Sequence, residues 1–252
     1  MNLTRAHEGP SLGLGCGRRQ TPSSVGFCRK CAVQTRAFCA VLDDAALAQL
    51  EQLHVICDLD SEENLFIEGD PATAFFTVIK GALRLSKSLP DGRRQITGFV
   101  LPGEFIGLST GKVYAHNADA LTEASLCRFS NSDMERIGQE IPEMNSRLLA
   151  MTNSSLSQAQ DHMLLLGRMN ALEKTANFLC GLINRAAAAD QPIDPLVLPM
   201  SRADIADYLG LTTETVSRTF SSLKRQKNIR LLDGGMVDLP NIDALKNLAD
   251  GY

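Results

Sequence analysis

Four cysteines crowd the first 40 residues: Cys16, Cys28, Cys31 and Cys39, in a chain that carries seven. Cys28 and Cys31 form a C-x2-C pair, Cys39 follows after seven intervening residues, and Cys127 lies far downstream. Three clustered thiolates and one distant one can ligate a [4Fe–4S] cluster, which takes four sulfurs. The same four can hold a tetrahedral zinc ion. Spacing leaves both open, with Cys16 as the rival ligand. Cys57 and Cys180 sit in apolar contexts and read as packing residues. In a reducing compartment a disulfide framework is not expected.

A second group of residues suits nucleic acid. Between Thr215 and Arg230 the chain carries Arg218, Lys224, Arg225, Lys227 and Arg230 and no acid. Just upstream, Ser201 can cap a helix with Asp204 three residues on. Ile205, Ala206 and Leu209 make its apolar face, and Gly210 suits a left-handed stop. Thr212 can cap a second helix, with Glu214 in its first turn and Val216, Phe220 and Leu223 facing inward. This is the pattern of a helix-turn-helix. Glu214, Ser217 and Arg218 share the exposed side, where Arg218 can donate twice to a guanine and Glu214 can accept from a cytosine amine. Thr212, Thr213, Lys224, Arg225 and Lys227 are placed to meet phosphates. Residues 229–239, with Asp233-Gly234-Gly235 at the middle, read as a hairpin wing.

The elements that must position these residues divide the chain. Residues 1–27 read as a flexible arm. Residues 28–141 hold Cys28, Cys31, Cys39 and Cys127, a helix at about Asp43–Leu53, and apolar runs at Ala74–Ile79, Ala82–Ser86, Gln95–Val100 and Ala124–Phe129. Turn signals recur between those runs every 8 to 12 residues, as in a small antiparallel β-barrel or jelly roll. Residues 142–168 form a long helix whose Leu149, Thr152, Leu156, Ala159, Met163 and Leu166 make a coiled-coil seam for a second copy. Residues 169–252 begin with a helix at about Asn170–Ala189 and a proline-bearing linker or edge strand, then the winged helix-turn-helix. The class is α+β.

The 252 residues are 44% hydrophobic and 21% charged with a net charge of −4, ordinary for a globular protein. With no run of 18 apolar residues and no apolar leader, a cytoplasmic protein off the membrane is expected. No Ser/His/Asp arrangement, phosphate loop or metalloprotease motif is present. His54, His116 and His162 are scattered and His7 lies in the arm, so no enzyme is indicated.

Asp204-Ile205-Ala206, Leu209-Gly210-Leu211-Thr212 and Glu214-Thr215-Val216-Ser217-Arg218 closely resemble the cyclic-AMP receptor and fumarate-nitrate-reduction regulator family. The order of barrel, long helix and winged helix-turn-helix is similar too, from about Cys28 to Leu248. The resemblance implies a homodimer on a DNA palindrome, with Glu214, Ser217 and Arg218 reading a TTGAT-N4-ATCAA-type site. It implies one oxygen-responsive [4Fe–4S] cluster per monomer on Cys28, Cys31, Cys39 and Cys127. The gap before Cys39 is two residues longer than in the best-known member. The resemblance also implies contact with RNA polymerase at Asp91-Gly92-Arg93-Arg94. It implies that Asp161 faces its mate across the dimer, where two carboxylates repel. In the cyclic-nucleotide branch a glutamate and an arginine hold the ligand. Glu104 lies near that motif, but residues 114–120 offer no arginine, so no cyclic nucleotide is expected.

Overall fold

The computed structural model describes residues 18–20, 26–108 and 111–251. A short strand, β1 (Arg18–Gln20), is followed by two single turns of 3-10 helix, Cys28–Lys30 and Phe38–Val41, and by α1 (Asp44–Glu51). Asp43 caps α1 by accepting from the Ala46 amide at 2.8 Å. Eight strands come next: β2 (Val55–Leu59), β3 (Asn64–Phe66), β4 (Ala74–Lys80), β5 (Leu83–Ser88), β6 (Arg94–Val100), β7 (Phe105–Ile106), β8 (Asn117–Ala120) and β9 (Ala124–Ser130). They build two antiparallel sheets, ordered β1-β2-β9-β4-β7 and β3-β8-β5-β6. The sheets do not close into one barrel; they form the jelly-roll alternative. Leu65, Phe76, Val78, Leu83 and Leu126 fill the space between them.

One expectation fails at the start of the chain. Arg18–Gln20 falls inside the stretch read as a flexible arm, yet its backbone pairs antiparallel with β2, Arg19 opposite Cys57. An edge strand gains ladder bonds from any extended neighbour, whatever its side chains. The rest of that reading, and Cys16 with it, lies outside the described residues.

After the roll come α2 (Asn131–Glu140), α3 (Pro142–Arg168) and α4 (Ala171–Ala188). Asn170 and Glu173 form a capping box that separates α4 from α3. A three-stranded sheet follows, ordered β10 (Leu196–Val197), β12 (Met236–Asp238) and β11 (Arg230–Leu231). Between its strands lie α5 (Arg202–Leu209) and α6 (Thr213–Arg225), and α7 (Ile242–Ala249) closes the unit. Leu179, Ile205, Leu209, Val216, Phe220 and Leu223 share its core. Among the described residues no helix is long and apolar enough to cross a membrane.

Candidate functional site

The helix-turn-helix forms by local rules. Ser201 accepts from the Asp204 amide at 3.1 Å, and Asp204 accepts from the Ser201 amide at 2.9 Å, a reciprocal box. Gly210 ends α5 with φ 63°, in the left-handed region. Thr212 caps α6 by accepting from the Thr215 amide at 3.1 Å. Val216, Phe220 and Leu223 are buried, which turns the opposite face of α6 outward. Glu214, Ser217 and Arg218 stand exposed on that face, with Arg218 paired to Glu214 one turn away. Thr212, Thr213, Lys224, Arg225 and Lys227 are exposed as well. The wing is β11 and β12, joined through Gly234 at φ 71°.

Three contacts that hold this unit leave no sequence motif. Lys174 is buried on α4 and donates to the Leu209 carbonyl at 3.2 Å, satisfying the end of α5. Thr175 and Thr219 share a buried hydroxyl bond of 2.9 Å. The Arg202 guanidinium lies 3.3 Å from the centre of the Phe220 ring. A lysine on the apolar face of α4 was the one legible hint.

The jelly roll seats α5 at both ends. Buried Arg84, on β5, donates to Asp204 at 2.9 Å and to Glu62 at 2.6 Å, and pairs with Asp119. Burial opposes the Arg84 charge, but Asp119, Glu62 and Asp204 outweigh it and hold the group above its usual range. Burial likewise opposes the Asp204 carboxylate, yet its bonds from Ser201 and Arg84 hold it below the usual carboxylate range. At the other end of α5, Arg94 donates to Asp207 at 2.8 Å, and Gln95 donates to the Asp207 and Tyr208 carbonyls at 2.6 and 3.2 Å. Arg94 is therefore not part of the exposed hairpin tip assigned from sequence. Of those four residues, Asp91, Gly92 and Arg93 remain at the exposed tip, where Asp91 and Arg93 pair with each other.

At the α1 end of the roll, the four cysteines read as ligands come together. Cys28 is buried in the first 3-10 turn, Cys31 follows it, Cys39 is half-buried in the second, and Cys127 is buried on β9. All four are free thiols. Burial pushes the Cys28 thiol up to about 12, with Glu51, Cys39 and Cys31 adding to the rise. Burial and then Cys31 push Cys39 to about 11. Cys127 is raised by burial and then by Cys31, Cys28 and Cys39, so the distant thiol stands within electrostatic reach of the other three. They are gathered but not drawn to a point: among the described residues no three His, Cys, Asp or Glu side chains could grip one metal ion. A donor set of four thiols, of which Cys28, Cys39 and Cys127 are costly to ionise alone, fits a cationic iron–sulfur body, which would offset that cost.

Cys57 is fully buried and disulfide-bonded, so the expectation of reduced cysteines fails at that position, where β1 runs alongside. Cys180 is a half-buried thiol on α4.

Along α3, Leu149, Leu156 and Met163 are 62, 56 and 68% exposed, and Thr152 and Ala159 lie open between them. One residue assigned to this seam is partly covered within the chain. Leu166 is half-buried against the chain's own C-terminal core, near Gly210. Asp161 lies two residues from both Ala159 and Met163, hence about 160° around the helix from each. It is exposed and lines a 580 Å3 cleft with His162, Phe178 and Arg185. Near the glutamate position of the cyclic-nucleotide branch, Glu104 receives both Nε and Nη2 of Arg185.

Two family models match the chain: a Crp-like helix-turn-helix domain over residues 173–248 and a cyclic nucleotide-binding domain over residues 57–140. The chain is 45% identical over 221 residues to the nitrogen fixation regulation protein FixK of Bradyrhizobium diazoefficiens, covering 87% of this chain and 93% of that one. It is 42% identical to the transcriptional activatory protein AadR of Rhodopseudomonas palustris, covering 85% and 91%. Identity to the transcriptional activator protein FnrL of Cereibacter sphaeroides is 37%, covering 84% and 87%. The solved structure of FixK2 from Bradyrhizobium japonicum is similar at a TM-score of 0.73 and 38% identity, covering 78% of this chain and 97% of that one.

Proposed function

The chain belongs to the family of Crp- and Fnr-type transcription regulators, which are DNA-binding proteins and not enzymes, and from that premise we propose that it is an oxygen-responsive regulator holding one [4Fe–4S] cluster per monomer. The observation that carries this reading is the gathering of Cys28, Cys31, Cys39 and Cys127, from three separate elements, at one end of the roll. When bound, such a cluster supplies an oxygen-labile iron–sulfur body joined to four thiolates.

The chain's own residues do the rest. Leu149, Thr152, Leu156, Ala159 and Met163 form the seam of a homodimer. Two copies of α6 then stand about one DNA turn apart, roughly 34 Å, as a palindrome requires. Glu214, Ser217 and Arg218 read a TTGAT-type half-site, while Thr212, Thr213, Lys224, Arg225 and Lys227 hold the phosphates. The hairpin tip at Asp91–Arg93 is the surface offered to RNA polymerase. No cyclic nucleotide is expected, because the Glu104 carboxylate is already engaged by Arg185.

Protein purified without air should be brown, contain about four irons per chain with matching acid-labile sulfide, and bind a TTGAT-N4-ATCAA duplex. Air should bleach it and weaken that binding. Colourless protein with zinc or no metal, binding equally in air after attempted reconstitution, would leave a regulator of some other signal.

A further inference from the structure

Arg36 lies between the second and third clustered cysteines, and its side chain leaves that segment altogether. Its Nη1 donates to the Ala189 carbonyl at 2.6 Å, at the carboxyl end of α4. Its stem crosses Gly103, where an added side-chain carbon would come within 2.7 Å of Arg36 Cγ. The Arg36 carbonyl accepts from Arg147 of α3 at 3.1 Å. Among the described residues no carboxylate pairs with the half-buried guanidinium, and its Nε is buried without a partner. A cation so placed costs desolvation energy. What offsets it is the partial negative charge at the end of α4.

The same end of α4 is tied to the roll a second time. Arg185 donates to Glu104, next to Gly103, and to the Phe99 carbonyl at 2.6 Å. Arg36 and Arg185 thus close one joint between the cysteine segment, the turn before β7 and the first helix of the DNA-binding unit. From that joint α4 runs for 18 residues, about 27 Å. Near its other end Lys174 and Thr175 grip α5 and α6. A shift at Cys31–Cys39 therefore has a stiff route to the recognition helix.

We propose that Arg36 is the strut through which the cysteine segment sets the position of the DNA-reading helices. As a route for the oxygen signal this rests on the sensor reading above; as a mechanical joint it does not.

The test compares full-length Arg36→Met, Arg36→Lys, Arg185→Met and the double Met variant with the unaltered protein, before and after air. Iron, sulfide and the visible spectrum are read together with affinity for the labelled TTGAT-N4-ATCAA duplex. Arg36→Met should keep its iron and spectrum yet lose on the order of tenfold in anaerobic affinity, with air-exposed affinity unchanged. Arg36→Lys, which can still donate to Ala189, should recover most of the loss. The double variant should bind no worse than the weaker single one, because both singles open one joint. Unchanged affinity in Arg36→Met, or equal losses before and after air, overturns the proposal. Should Arg36→Met fail to fold, Arg185→Met carries the same comparison with the cysteine segment untouched. If the unaltered protein carries no iron and ignores air, the sensor reading fails instead. The joint is then judged by the double variant alone, and additive losses overturn it.

Discussion

At the scale of single residues, chemistry depends on which side chains are free to act. Arg218 and Glu214 are fully engaged only with each other, and both remain exposed. A surface pair of this kind contributes little to stability, so the two groups can part when a base edge offers better partners. Arg218→Ala should leave folding almost unchanged and cost about 1–3 kcal/mol of discrimination at one base pair of the half-site. Competition binding with duplexes altered at each position checks this; uniform weakening across all of them would show a phosphate contact instead. The candidate ligands follow a different rule. Cys28, Cys31 and Cys39 announce themselves by proximity in the chain, whereas Cys127 looks like any buried cysteine until β9 brings it alongside them.

At the scale of elements, the question is which face each helix leaves open. α3 is 27 residues long, yet only Met144 and Leu165 are fully buried within it. Leu149, Leu156 and Met163 repeat every seven residues on the open side, and each leucine so placed gains about 1.5–3 kcal/mol when covered. Leu156→Glu should therefore shift the protein towards monomer and weaken palindrome binding together, as read by sedimentation and anisotropy. A variant that stays dimeric would move the interface elsewhere. Leu166 shares the seam phase but lies at the end of α3, where the chain's own C-terminal unit partly covers it.

At the scale of the whole molecule, the roll, the long helix and the DNA-binding unit meet around Tyr208. His162 of α3 stacks on its ring at 4.0 Å between centres, and Phe99 of β6 and Phe178 of α4 close the cluster. Burial pushes the His162 imidazole below its ordinary 6.5; the Tyr208 backbone opposes the shift and Lys174 adds to it. A folded value below the unfolded one means the neutral ring fits and the charged ring does not. The contribution is present above about pH 6.5 and is lost as pH falls through the folded value. Thermal midpoints should fall between pH 7.5 and 5.5 more steeply in the unaltered protein than in His162→Phe, which keeps the stack but cannot take a proton. Parallel slopes would place the pH dependence elsewhere, in groups such as His54 or His116, which burial also lowers.

Local signals were enough wherever the physics was local. The caps at Ser201 and Thr212, the stop at Gly210 and the exposed face of α6 were all legible in the sequence, because each depends on neighbours within a turn or two. The apolar runs likewise marked β4, β5, β6 and β9, since alternation and turn residues act over a few positions. Tertiary structure decided everything that joins distant segments. It determined that the sheets stay open and that β1 borrows an edge. It turned Arg94 onto α5 and Arg36 onto the end of α4, 113 and 153 residues away in the chain. Those contacts follow from where a twisted roll and a long helix bring their surfaces together, and no short-range pattern of residues encodes that meeting.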